Sequence, residues 1–138
     1  MNHEELVGLI EERSPHTVFA PLGITVVSYD PDALQVALDI DERHHQHLGM
    51  LHGGVSVLLA ESAASLAAAM SVDLRTTIVA GVDISATHLR PKQTGRLVAT
   101  ARPLFRGRTT HVYEIAINDE DGSLICASRC TIAIRKRG

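Results

Sequence analysis

Residues 55–70, VSVLLAESAASLAAAM, hold no glycine or proline, are dominated by Ala and Leu, and carry one charge, Glu61. A helix that is apolar nearly all round has to be covered on most sides. Whatever this chain folds into must therefore build a jacket around one helix. The material for it follows directly. Residues 76–89, 96–105, 110–118 and 124–134 are long β-type runs, with Gly95, Gly107 and Asp121-Gly122 marking the turns between them. Upstream, residues 23–29 and 34–40 flank Asp30-Pro31-Asp32 and are expected to form a hairpin. Residues 4–13 suit a short amphipathic helix with Leu6, Leu9 and Ile10 on one side, stopped by Ser14-Pro15. Residues 41–51 have no period and form a histidine-rich loop, in which His44, His45 and His47 are expected to be solvated.

The predicted order is α-β-β-α-β-β-β-β, an α+β chain in which a curved antiparallel sheet wraps a long central helix. At 138 residues this is the size of one domain, spanning 1–138, with no linker or repeat. A sheet with one face on the helix leaves its other face and its edges open, so a homo-oligomer is expected. No uninterrupted apolar stretch approaches the roughly 20 residues of a membrane span, so no membrane partner is expected. Four acidic residues and no apolar signal core near the start argue against export and for a cytoplasmic location. Cys126 and Cys130 fall on one strand, where four residues separate their Cα atoms by roughly 13 Å, too far to pair. They are expected to be buried thiols.

Charge is split along the chain. Residues 1–89 hold 3 basic and 12 acidic residues, a net −9, while residues 90–138 hold 10 and 4, a net +6. A cationic C-terminal part on an acidic chain points to a local site for an anionic ligand. With four Tyr and Phe and no Trp, stacking platforms for nucleic acid are scarce.

Glu61 is the residue that needs explaining. An ionised carboxylate inside a buried apolar helix costs several kcal/mol unless paired, so the sequence predicts a carboxylate held in an oily interior for a purpose. At 100° per residue it shares its face with Gly54, Val57, Leu58 and Ser65, and only the Ser65 hydroxyl, at i+4, is a local polar partner. A structural ion pair with an arginine is the plain alternative. His52-Gly53-Gly54 precedes the helix, and glycines there present free N–H groups at the positive end of the dipole, suited to an oxyanion. Glu61 lies about 11 Å along the axis from Gly54, too far for both to touch one carbonyl. The expected site therefore forms between two subunits.

The stretch Gln46-His47-Leu48-Gly49-Met50-Leu51-His52-Gly53-Gly54-Val55, followed by Leu59-Ala60-Glu61-Ser62, resembles the signature of hot-dog-fold acyl-CoA thioesterases. The likeness is greatest to the glutamate-type branch, which includes 4-hydroxybenzoyl-CoA thioesterases and enzymes of menaquinone and enterobactin pathways. It extends through Gly81-Val82-Asp83-Ile84, Thr87-His88-Leu89-Arg90, Arg102-Pro103-Leu104 and the C-terminal strand. The resemblance implies a hot-dog fold in a dimer-based tetramer that hydrolyses an acyl- or aryl-CoA thioester. Glu61 would be nucleophile or general base and the Gly53 amide the oxyanion donor. Gln46 and His52 would position thioester and water, Ser65 would hold Glu61, and His88 would contact substrate. Rival readings are a non-catalytic acyl-CoA-binding module, which an intact Glu61 and Gln46 speak against, and a hot-dog dehydratase, which needs a differently placed histidine.

A coenzyme A ester carries phosphates, so cationic donors are needed at the mouth of the acyl site. Arg90, Arg106, Arg108 and Lys136 are the candidates. Phe105-Arg106-Gly107-Arg108-Thr109 combines an aromatic for adenine with arginines, turn amides and a hydroxyl, though such a run is also an ordinary hairpin turn. Gly81 marks either a close backbone approach to the ligand or a bulge. The histidine spacing fits no zinc pattern. Neither metal nor cofactor is expected, with coenzyme A entering as part of the substrate.

Overall fold

The computed structural model describes residues 1–138. Helix α1 (His3–Arg13) begins where Asn2 caps it: Asn2 Oδ1 accepts the Glu5 N–H at 2.8 Å, and Glu5 Oε2 accepts the Asn2 N–H at 3.1 Å. That reciprocal box satisfies two otherwise orphan donors. Of α1 only Leu6 is buried, so the helix lies on the outside of the fold. A 3₁₀ turn at Ser14–His16 leads to a second, unanticipated helix, α2 (Phe19–Leu22), which closes on Gly23 at φ 64°. Strands β1 (Thr25–Ser28) and β2 (Leu34–Ile40) pair antiparallel as the expected hairpin, with β1 shortened by a bulge between Val26 and Ser28. Then come α3 (Gly53–Met70), β3 (Thr77–His88), β4 (Gly95–Arg106), β5 (Thr110–Asp119) and β6 (Leu124–Lys136).

All six strands join one antiparallel sheet in the order β1-β2-β4-β5-β6-β3. The last four strands are thus not laid down in chain order. Strand β4 docks on β2, and β3 is sent to the far edge beside β6, leaving its other side open. Sheet and helix meet through Ser56, Leu59, Ala60, Ala63, Ala64, Ala67 and Ala68, all buried, at the i, i+3, i+4, i+7 spacing of one helical stripe. Five alanines on that stripe keep the helix backbone close to the sheet. Rows of inward side chains such as Val36, Ala99, Ile117 and Cys126 stand in register across the strands opposite them. Cys126 and Cys130 are free and buried. By length and composition α3 is apolar enough to cross a membrane, with mean hydropathy 1.4 over 18 residues. Here the sheet wraps it as the core helix.

The histidine-rich loop is not uniformly solvated. His44 is fully buried. The Asp41 N–H donates to its Nδ1 at 3.0 Å, which leaves Nε2 to carry the proton and donate to Leu22 O at 2.7 Å. Beside it, Arg43 Nη1 donates to Pro21 O at 2.8 Å. The loop therefore grips the C-terminal carbonyls of α2. At the opposite end of α3, Tyr113 is buried with its hydroxyl 3.2 Å from His111 Nδ1, and the Arg106 guanidinium lies 5.8 Å from the Tyr113 ring centre. Burial first, and then the charge of Arg106, push His111 below the ordinary histidine range.

Candidate active site

The sheet covers one side of α3 and leaves the other bare. Gly54, Val57, Leu58, Glu61, Ser62, Ser65 and Leu66 form the open stripe, and with Val18 and Phe19 they line a groove of about 540 Å³. The expectation of a carboxylate forced into an oily interior is corrected here: in the isolated subunit Glu61 is exposed. An apolar stripe announced burial, but the chain covers it only in part: Val57, Leu58, Ser65 and Leu66 are half-buried, while Glu61 stays exposed. The face shared with Gly54, Val57, Leu58 and Ser65 is the one the helical period gives. Ser65 lies in the groove without a hydrogen bond to Glu61, and the Ser62 hydroxyl turns back to Leu58 O at 2.7 Å.

The Glu61 carboxylate rests against strand β3. A Cβ on Gly81 would stand 3.1 Å from Glu61 Oε2 and 3.3 Å from its Cδ, so a side chain there would push the carboxylate away. Gly81 is both a close approach to Glu61 and the start of a bulge that ends at Asp83. Beneath it, burial, then Glu61, then Asp83 raise Cys130 to about 11. Cys130 is thereby held as a thiol at neutral pH and is no nucleophile.

At the N-terminus of α3, His52 is the cap residue: its Nδ1 accepts the Gly54 N–H at 2.8 Å, and its carbonyl accepts the Val55 N–H at 3.0 Å. With Nδ1 taken, Nε2 of His52 is the protonated, donating nitrogen. The Gly53 N–H is left without a partner at the positive end of the helix dipole. His88 packs on Gly53 from β3, so closely that a Cβ on Gly53 would lie 2.8 Å from its Nε2. Gln46, Gly53, His88 and Arg90 share a concavity of about 350 Å³. Gln46 Oε1 accepts the Leu48 N–H, which leaves its amide NH₂ free to donate. Arg90 already donates one Nη1 bond to Leu124 O at 2.6 Å.

Glu61 and the free Gly53 amide thus sit on one helix, with about 12 Å of axial rise between their backbone positions, and open into different concavities. An oxyanion donor acts within roughly 3 Å of the carbonyl oxygen. Within one chain the two groups line separate concavities.

Of the cationic candidates, Arg108 and Lys136 line one concavity of about 440 Å³ together with Thr109, Thr77 and Arg135. Arg106 is drawn away from them: it donates to Asp32 Oδ1 at 2.7 Å and to Pro31 O at 2.6 Å, and so ties down the β1–β2 turn. Phe105 is 57% exposed, and its ring lies over Gly107, where a Cβ would come within 2.6 Å. The carboxylates of Asp119, Glu120 and Asp121 gather on the surface, but the cation among them is Lys92, whose Nζ lies 3.2 Å from Asp119 and 3.0 Å from Glu120. The residues that sequence reasoning missed are Val18, Phe19 and Leu66. The first two are remote from the motif, and no local pattern singles them out.

A curved antiparallel sheet around one helix, bearing a free carboxylate and a free helix-terminal amide, is the hot-dog architecture of a thioester hydrolase. The chain belongs to the thioesterase superfamily, whose profile matches residues 48–126. It is 48% identical over 116 residues to the 1,4-dihydroxy-2-naphthoyl-CoA hydrolase of Listeria monocytogenes, covering 84% of this chain and 94% of that one. The proofreading thioesterase EntH of Klebsiella pneumoniae is 34% identical over 131 residues, 95% of either chain. Among solved structures, a mutant of the thioesterase PA1618 of Pseudomonas aeruginosa superposes with a TM-score of 0.90 at 35% identity, covering 94% of both. The activity these relatives share is thioester hydrolysis, and this chain is a thioester hydrolase.

Proposed function

We propose that the chain hydrolyses an acyl- or aryl-coenzyme A ester to the free acid and coenzyme A, with Glu61 as nucleophile or general base and the Gly53 amide as oxyanion donor. The observation that carries this is the Glu61 carboxylate itself, free of any ion pair, seated in an apolar groove and pressed against Gly81. Either it takes a proton from a water that attacks the thioester carbon, or it attacks that carbon itself and water cleaves the resulting anhydride. In both routes the C–S bond breaks, the thiolate leaves, and negative charge building on the carbonyl oxygen is met by the Gly53 N–H. Gln46 and the Nε2–H of His52 orient the thioester and water. Ser65 reaches Glu61 once the groove is closed.

The two half-sites come together between two copies, the Gly53 end of one subunit facing Glu61 of the other. Strand β3 supports this arrangement: its open edge carries Ile78 and Val82, the latter 62% exposed, and an unpaired strand edge is a template for association. His88 and Arg90 border the thioester end. Phe105, Gly107, Arg108, Thr109 and Lys136 receive adenine and phosphates, with Arg106 bracing the turn behind them. The work is done by the chain's own groups, without metal or cofactor, and two buried free thiols accord with a cytoplasmic setting. Two of the relatives are named as hydrolases of a bicyclic aryl-CoA, and an aryl ester is the substrate to try first.

The test compares thiol release from benzoyl-CoA by wild type and Glu61→Ala. Loss of a general base predicts a rate lower by roughly 10²–10⁴-fold, with folding intact because the side chain is exposed. Equal release by both would remove Glu61 from the chemistry.

A further inference from the structure

Phe19 belongs to two cavities at once. On one side it lines, with Val18, the groove of about 540 Å³ that holds Glu61. On the other it lines a second space of about 440 Å³ beside α1, walled by Pro15, Ala20, Ile24 and Val26 and reaching Glu11 and Tyr29. The ring is half-buried and packs against the hydrophobic core. Its backbone is held on both sides: the Phe19 N–H donates to Thr17 Oγ1 at 3.2 Å, and Phe19 O accepts the Ile24 N–H at 2.9 Å. Arg43 and His44 secure the rest of α2 through Pro21 O and Leu22 O. Phe19 is thus held in place as a wall shared by the two spaces.

We propose that Phe19 is a specificity-determining residue, the end wall of the acyl site, which admits compact aryl or short acyl groups and shuts long straight alkyl chains out of the cavity beyond. The inference rests on the reading of the Glu61 groove as the acyl site. An aryl group that ends at this wall gains an edge-to-face or offset contact with the ring. A long chain has no such end, and its methylenes must turn back into water. Cutting the ring down to a methyl group joins the two spaces. Each methylene newly buried is worth roughly a fourfold gain in binding, so three or four of them in the opened cavity give a gain on the order of 10²-fold.

The experiment measures kcat/KM of wild type, Phe19→Ala and Phe19→Trp on benzoyl-, hexanoyl-, decanoyl- and palmitoyl-CoA, with Tm as a fold control. Phe19→Ala is expected to raise the decanoyl-to-benzoyl ratio on the order of 10²-fold, and Phe19→Trp is expected to leave it level or lower it. Should the alanine variant not fold, Phe19→Leu is expected to move the ratio the same way by a smaller step. A ratio unmoved by both smaller side chains, in a background where wild type cleaves benzoyl-CoA, overturns the assignment of Phe19 alone. A folded wild type that cleaves none of the four esters overturns the acyl-site reading, and this inference with it.

Discussion

An ionised carboxylate on a helix is kept from water by its own fold or left for another surface to cover. Glu61 is not kept from water by its own fold, being exposed in this chain, and that explains what the sequence showed and what it hid. Its spacing from Gly53, and the companions Gly54, Val57, Leu58 and Ser65, follow from the helical period alone. Its exposure does not, because the apolar stripe around it reads the same whether a sheet, a ligand or a second chain covers it. The sequence offers Gly81 as a close approach to the ligand or a bulge, but the neighbour it meets, Glu61, lies on another element and is visible only in the fold. A prediction follows from the 3.1 Å gap. Alanine at 81 must displace the carboxylate by a few tenths of an ångström, and misplacing a reacting group by about 1 Å can cost 10²-fold. Gly81→Ala is expected to lower kcat about tenfold with little change in KM. Stability should hold or rise, since alanine is favoured over glycine in a strand by roughly 0.5–1 kcal/mol. Steady-state kinetics beside a thermal melt check this, and an unchanged kcat would show that Glu61 tolerates displacement.

At the scale of elements, the long apolar helix and the strands were legible within a few residues at their ends, because each is an extended run of one period. Helix α2 was not. Four residues, FAPL, contain a proline and run into Gly23, and nothing in so short a stretch separates a helical turn from a loop. What stabilises it comes from 22 residues further along, where His44 and Arg43 bond its carbonyls, and a histidine among histidines gives no hint that one is buried. The strand order also escaped, since β-type runs of similar length do not record which of them is sent to the edge. The load on His44 is measurable. Replacing it by alanine leaves a buried cavity and orphans Leu22 O and the Asp41 N–H, so a loss of about 2–4 kcal/mol is expected. His44→Phe fills the space but restores neither bond and should remain destabilised. Urea unfolding of the two variants decides the matter, and a phenylalanine variant as stable as wild type would reduce His44 to a space-filler.

For the whole molecule, the decisive fact is that Glu61 and the free Gly53 amide stand on one helix with about 12 Å of axial rise between their backbone positions and line different concavities. No rearrangement within α3 brings them to one carbonyl without unwinding it. In the proposed arrangement two copies related by a two-fold axis would supply both groups to each site, since a symmetric contact gives both subunits the same complement, with the open edge of β3 as the contact surface. Such an arrangement has a signature that a site within one subunit cannot imitate. Glu61→Ala and His52→Ala are each expected to be inactive as homodimers, because every composite site then lacks one member. After unfolding and refolding the two together, half of the dimers are mixed. In each of these one site lacks both residues while the other is intact, so about a quarter of wild-type activity returns. If each site lay within a single subunit, every subunit in the mixture would still carry its own lesion and the activity would stay at that of the parents. A charge at Val82, exposed on the edge strand, supplies the matching physical measurement. Val82→Asp is expected to lower the mass in sedimentation and abolish hydrolysis together. A monomer that remained fully active would place the whole reaction within one subunit.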